Sequence, residues 1–267
     1  MILDVAVEAA RAAAIIIRDA SVHLGSLDWE LKGSADFVTE VDRGAERAIA
    51  KVIGERLPGA QVVGEELSPK TGLSSPGLTF IVDPLDGTTN FLHGYPQYAV
   101  SIGAIQAGVL VAGVVLNVIT DECFTAMVDQ GAQLNAAPIR VSEVSEPSRA
   151  LIGTGFPFKQ HDLLERYAQH FIAVSRDTAG IRRAGSAALD LADVACGRFD
   201  GFWELDLAPW DISAGILLVR EAGGVVTNFA GEHRDVSAGP VIAGNPDIHL
   251  WLLRTLLAAD ETVNSKR

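Results

Sequence analysis

Between Gly87 and Thr120 the chain carries no Asp, Glu, Lys or Arg. A stretch of that kind belongs in a bilayer or in a protein interior. Residues 99–119 are long enough to span a membrane on length alone. They also contain Ser101, Gln106, Asn117 and three glycines, and they are rich in Val and Ile, which favour strands. Gln106-Ala107-Gly108 reads as a turn between strands over 98–105 and 109–117. A buried β-hairpin is therefore expected rather than a membrane span.

The rest of the chain is patterned for mixed helix and sheet. With 48% hydrophobic and 21% charged residues, the composition excludes disorder, collagen and coiled coil, and 267 residues leave one large or two small globular domains. Apolar spacing predicts helices over 3–22 and 40–57. In the second of these, Ala45, Ile49, Val52 and Ile53 share a face, with Glu46, Arg47, Lys51 and Glu55 mostly opposite. Further helices are expected over 162–175, 185–196, 209–222 and 247–259. Short β-rich runs are expected over 61–64, 78–82, 122–128, 150–154, 200–203, 225–228 and 241–243. The segment 142–148 is polar and turn-forming, so it reads as a linker between halves spanning 1–146 and 147–267. Residues 260–267 read as a frayed polar tail. Helices and sheets in two halves suggest layered α/β packing around two sheets.

A net charge of −13 argues against binding to nucleic acid or to an anionic membrane surface. It does not argue against phosphate ligands, because carboxylates can bind cations that in turn bind phosphate. Cys123 and Cys196 make neither a disulfide framework nor a CxxC pair, which suits a reducing cytoplasm. The N-terminus lacks the basic start and unbroken apolar core of a signal peptide.

The chemistry is concentrated in Phe80-Ile-Val-Asp83-Pro-Leu-Asp86-Gly-Thr88-Thr-Asn90-Phe91. An apolar strand delivers Asp83 at its C-terminal end, a favoured place for ligand sites in α/β sheets. Pro84 sets the chain direction so that Asp83 and Asp86 can curl toward one point. Gly87 permits close backbone approach, and Thr88–Asn90 can open a helical turn whose N–H groups face an anion. Such a set makes sense with hard divalent cations, Mg²⁺ above all. A plain Asp-Pro-x-Asp-Gly turn is the simpler alternative.

Three other segments bring acids to similar places. Gly64-Glu65-Glu66 follows a short strand, Asp36-Phe-Val-Thr39-Glu-Val-Asp42 fits a helix N-terminus capped by Thr39, and Trp210-Asp211 opens a helix. Each has an ordinary structural reading alone, and together they demand four coincidences. Zinc motifs, P-loops, nucleophile elbows and dinucleotide fingerprints are all absent.

These residues resemble the inositol monophosphatase family, and most closely its bacterial inositol-1-monophosphatases. Asp83-Pro-Leu-Asp86-Gly-Thr-Thr-Asn90-Phe91 is similar to the first family signature. Trp210-Asp211-Ile-Ser-Ala-Gly, continuing to Glu221-Ala-Gly223-Gly224, is similar to the second. The acid motifs at 36–42 and 64–66, with Gly153-Thr-Gly-Phe-Pro-Phe158 and Arg183-Ala-Gly-Ser-Ala-Ala188-Leu-Asp190, extend the likeness over nearly the whole chain. The resemblance implies a five-layer αβαβα sandwich of α/β class, and a Mg²⁺-dependent, lithium-sensitive phosphomonoesterase that is commonly dimeric. By the same resemblance, Glu65, Asp83 and the carbonyl of Leu85 hold one Mg²⁺, and Asp83, Asp86 and Asp211 hold a second. A third ion sits near Glu65. Thr88 and Asp42 correspond to the pair that orients and deprotonates the attacking water, and Gly87 and Thr88 supply phosphate-binding N–H groups. Glu204 and the backbone at Ala187 correspond to contacts with substrate hydroxyls. Lys32 and Glu66 lie beside the matched motifs without an assigned role. Arg183 stands open between a substrate or partner contact and a surface arginine.

The substrate expected is myo-inositol 1-phosphate or a related small polyol monophosphate. Histidinol phosphate, fructose 1,6-bisphosphate or a 3′-phosphonucleotide are alternatives on the same scaffold. A regulatory role through protein contacts is a third reading.

Overall fold

The computed structural model describes residues 1–24, 29–33, 36–67, 77–157, 160–233 and 236–264; over 29–33, 36–38 and 262–264 it describes backbone alone. Lys32 and Asp36 are thus placed only as backbone on strands, and Phe158 lies outside the described residues.

The charge-free segment is the centre of the larger sheet. Strand β5 (Ala99–Gln106) pairs antiparallel with β6 (Val109–Asn117), and Gln106 faces Val109 across a two-residue turn. Both turn residues, Ala107 and Gly108, have positive φ (49° and 81°). That is the geometry whose twist matches flanking strands. Among the described residues no helix is long and apolar enough to cross a membrane.

Around this hairpin a seven-stranded sheet runs in the order β3 (Gln61–Gly64), β4 (Leu78–Asp86), β5, β6, β7 (Cys123–Met127), β8 (Gly131–Leu134) and β9 (Ala137–Ile139). Only the β3–β4 pairing within it is parallel. A five-stranded sheet has the order β11 (Gly180–Arg182), β10 (Leu151–Thr154), β12 (Gly201–Leu207), β14 (Gly239–Gly244), β13 (Val225–Thr227). The remaining strands, β1 (Trp29–Gly33) and β2 (Asp36–Thr39), form an antiparallel ribbon that leads into the second helix.

Helices complete five layers. The alanines of α1 (Ile2–Ser21), including Ala9, Ala10, Ala13 and Ala14, are buried and let α2 (Glu40–Arg56) approach closely over one face of the larger sheet. Between the sheets lie α5 (Ala187–Ala195) and α6 (Pro209–Glu221). The outer face of the smaller sheet is covered by α4 (Leu164–Asp177) and α7 (Pro246–Asn264). This is the αβαβα arrangement. A short α3 (Thr88–Leu92) follows β4.

The sheet admits α6 through missing side chains. Gly103 on β5 sits directly opposite Gly113 on β6. A Cβ on Gly103 would lie 2.4 Å from the Ser213 Oγ, and one on Gly113 would lie 3.0 Å from the Ala214 carbonyl oxygen. On the far side of the helix, a Cβ on Gly215 would lie 2.5 Å from Leu191 of α5. Helix α6 is thus wedged between the sheet and its neighbour with no spare volume.

Several expectations need correction. Strand β4 continues through Pro84 to Asp86 instead of ending at 82. The pairing slips there, so that Asp83 faces Ser101 and Asp86 faces Ala99. Three steps on β4 oppose two on β5, a bulge, which is where a strand tolerates proline. Strand β12 runs on to Leu207, and strands β1, β2, β8, β9 and β11 were not expected. Through residue 264 the supposed tail is helix. Asp260 within it accepts Arg166 Nε at 2.7 Å and stands 2.8 Å from buried His170 Nε2.

One buried histidine makes a pH prediction. His249 on α7 lies 2.9 Å from the Thr227 hydroxyl, and burial, aided by nearby His233, pushes its pKa down to about 4. The unfolded chain takes up that proton near pH 6.5, before the folded chain does, so this contribution is present above pH 6.5 and lost as pH falls toward 4. Between pH 7.5 and pH 5 it amounts to about 2 kcal/mol. Urea denaturation of wild type and His249→Gln at both pH values checks it. The variant should lose about 2 kcal/mol less, and parallel losses would refute the assignment.

Candidate active site

The bulge at Pro84 is what aims the two acids of β4. Asp83 is 2% exposed, and its Oδ1 accepts the N–H of Leu85 at 3.0 Å across the kink. Burial, and then the charges of Glu65, Asp86 and Asp211, hold its carboxyl well above the usual carboxylate range. These acids come from β4, from the turn after β3 and from the first turn of α6.

Two of these neighbours, Asp86 and Asp211, are held by donors. Asp86 Oδ2 accepts from the Ser186 hydroxyl at 2.6 Å and from the Ala188 N–H at 2.8 Å, so the start of α5 grips it. Asp211 Oδ2 accepts the Ala208 N–H at 2.7 Å at the start of α6. Glu65 sits just past β3, where its own N–H bonds the Val82 carbonyl at 3.2 Å.

Asp42 sits in the first turn of α2, and its Oδ2 accepts the Thr39 N–H at 2.9 Å in a capping box that the Thr39 hydroxyl completes. Its other oxygen lies 3.0 Å from the Thr88 hydroxyl, which is also 3.0 Å from the Leu85 carbonyl. Burial raises the Asp42 pKa against the lowering effect of the Thr39 and Thr88 hydrogen bonds. The structure therefore brings Asp42 and Thr88 together. Gly87, just before Thr88, has φ 94°, and a Cβ there would lie 2.9 Å from the Gln97 carbonyl oxygen, so glycine is required on both grounds.

Thr88 and the acids Glu65, Asp83, Asp86 and Asp211 open onto a cavity of about 410 Å³, whose lining also includes Ala187, Glu204 and Arg183. Glu204 reaches it from β12, and burial, followed by the charge of Asp211, raises its pKa well above the ordinary range. Gly155 lies against its carboxylate, and a Cβ there would come within 2.1 Å of it. Arg183 is exposed at the rim, with its guanidinium carbon 5.0 Å above the Phe156 ring.

A residue the sequence placed wrongly explains how Glu65 is set. Glu46 is buried, not on the solvent face of α2. Its carboxylate accepts the Glu66 N–H at 2.8 Å and the Leu67 N–H at 3.1 Å, pinning the turn that carries Glu65 and Glu66. Asn90 is a second tie, donating to the Gln97 carbonyl at 2.6 Å and the Ala184 carbonyl at 2.9 Å, which joins the loops of the two sheets.

The donor set is all oxygen, with one carboxylate buried among three others, and it suits a hard cation. Among the described residues no three His, Cys, Asp or Glu side chains form a ready-made metal cage. The observation that points to a cation is instead the mutual repulsion felt at Asp83, which positive charge would relieve.

The family model described as the inositol monophosphatase family matches residues 1–261. The chain belongs to this family. The SuhB protein of Pseudomonas aeruginosa, named a Nus factor, is 45% identical over 258 residues, covering 95% of each chain. The inositol-1-monophosphatase of Rhizobium meliloti is 46% identical over 223 residues, covering 84% of each. The crystal structure of SuhB from Bartonella henselae superposes with a TM-score of 0.89 at 42% identity, covering 96% of this chain and 98% of that one. The inositol monophosphatase fold and its phosphatase class thus apply to this chain, and members of the family are generally metal-dependent.

Proposed function

We propose that the chain hydrolyses myo-inositol 1-phosphate and related small polyol monophosphates in the presence of Mg²⁺. The observation that carries this reading is Asp83, buried and crowded by three other carboxylates at one end of a cavity that has Glu204 on its wall. In this reading residues 1–146 and 147–267 are halves of one catalytic domain.

Glu65, Asp83 and the Leu85 carbonyl would hold one Mg²⁺, Asp83, Asp86 and Asp211 a second, with a weaker third beside Glu65. When bound, such ions supply Lewis acidity at the phosphoryl oxygens and acidify the attacking water. Thr88 Oγ orients that water, and Asp42, 3.0 Å behind it, takes the proton. The N–H groups of Gly87 and Thr88 cradle the phosphate, and Asp86, Ala187, Glu204 and Asp211 meet the substrate's hydroxyls. The family resemblance supports a lithium-sensitive homodimer, the two unpaired cysteines suit the cytoplasm, and the net charge of −13 argues against nucleic-acid and membrane-surface partners.

A substrate panel tests the reading. With Mg²⁺, myo-inositol 1-phosphate should give a higher kcat/KM than histidinol phosphate, fructose 1,6-bisphosphate or a 3′-phosphonucleotide, and lithium should inhibit. A higher value for histidinol phosphate would overturn the choice of substrate.

The Pseudomonas relative carries the name of a Nus factor, which supports a second, non-catalytic role on the same scaffold. A strain with catalytically dead protein and an unchanged phenotype would favour that role.

A further inference from the structure

The mechanism leaves two acids of the cavity unused, Asp190 and Asp206, and Asp206 accepts a hydrogen bond from the Gln160 amide. Asp190 lies in the first turn of α5, three residues past Ala187 in the layer between the sheets. It is 1% exposed, lines the same cavity as Glu204, and its Oδ1 has no hydrogen-bond partner among the described residues. Asp42, Asp86 and Asp211 all accept backbone N–H groups, so Asp190 stands apart from them.

An acid in the first turn of a helix normally faces water and favours the helix dipole cheaply. A buried one with an unmatched oxygen costs of the order of 1–3 kcal/mol or more. Its surroundings add to that cost. Burial, then the charges of Glu204, Asp193 and Asp86, raise the Asp190 pKa well above normal, with only Arg183 opposing. Among the described residues nothing satisfies Oδ1, and in the proposed reading the cavity that Asp190 borders is where the polyol part of the substrate would lie.

We infer that Asp190 is a specificity residue that hydrogen-bonds a hydroxyl of the substrate's polyol, alongside Glu204. The inference rests on the proposed polyol phosphatase reading. Its chemical sense is that a polyol hydroxyl matches a polar group otherwise left unpaired, whereas an apolar leaving group leaves it so. Sites of that kind discriminate strongly against ligands lacking the hydroxyl.

The experiment compares myo-inositol 1-phosphate with phenyl phosphate, in Mg²⁺, for wild type, Asp190→Leu and Asp190→Asn. Asp190→Leu should lose about 30-fold more in kcat/KM on the inositol ester than on the phenyl ester, the scale of one hydrogen bond to a buried charged or acidic group. Asp190→Asn, which keeps a hydrogen-bonding side chain, should recover most of that ratio. The leucine variant should melt at or above the wild-type temperature, because an unpaired buried carboxyl is gone. Equal losses on the two esters, or an unchanged ratio, would overturn the inference. Wild-type turnover of phenyl phosphate without turnover of inositol phosphate would instead sink the polyol reading itself.

Discussion

Asp83→Asn is expected to lower kcat/KM by about three orders of magnitude or more, the scale seen when a central electrostatic group is removed from an active site. The same change should stabilise the cation-free protein. Asparagine keeps the size of the side chain and an oxygen for the Leu85 N–H, so the bulge of β4 can persist. What it removes is a carboxyl that burial and three neighbouring acids penalise. Melting curves in a chelator and in excess Mg²⁺ separate the two effects. Wild type should gain melting temperature on adding Mg²⁺, since a ligand of the folded state stabilises it by mass action. Asp83→Asn should start higher and gain little. Undiminished turnover, or a Mg²⁺-induced gain equal to that of wild type, would remove Asp83 from the centre of the site.

Gly103→Val is expected to be the most damaging single change away from the cavity. Its first added carbon would already lie 2.4 Å from the Ser213 Oγ and 2.6 Å from the Ser213 Cβ, and the helix cannot retreat, because Gly215 is pressed on Leu191 behind it. Overpacking of this kind costs about 3 kcal/mol, the upper end of its usual range. For a chain of this size that corresponds to roughly 6–12 °C in melting temperature. The displaced helix carries Asp211 in its first turn, so activity should fall by more than the loss of folded protein accounts for. Circular dichroism melts and kcat measured well below the transition test both parts. A melting temperature within a degree of wild type would show that the contact is not as tight as described.

How far these features could be read from the sequence depends on whether their cause is local. The central hairpin was legible because an absence of charge and a glycine turn are both local facts. The motif from Asp83 to Asn90 was legible for the same reason, with its acids, glycine and threonine adjacent in the chain. The path of β4 through Pro84 was not, because the bulge exists only in register with Ser101 and Ala99 of β5. Glu46 was misplaced because it borders the apolar stripe of α2, and its partners are N–H groups of Glu66 and Leu67, some twenty residues on. Asp260 was assigned to a tail because its partners, Arg166 and His170, lie about ninety residues earlier. Asp190 was visible only as the last residue of the motif from Arg183, with no role of its own, since what marks it is the lack of a partner inside a cavity formed by distant segments.

Helix α6 touches both β layers along its body and ends at the cavity with Asp211, while Glu65, Asp83 and Asp86 arrive from one sheet and Glu204 from the other. Catalytic competence is therefore a property of the joint and not of either plate it joins. A molecule whose sheets had formed but whose middle layer had slipped by a single helical turn, about 5.4 Å, would pass as native by its secondary structure. It would release no phosphate, so turnover in this fold reports that the layers have docked in register.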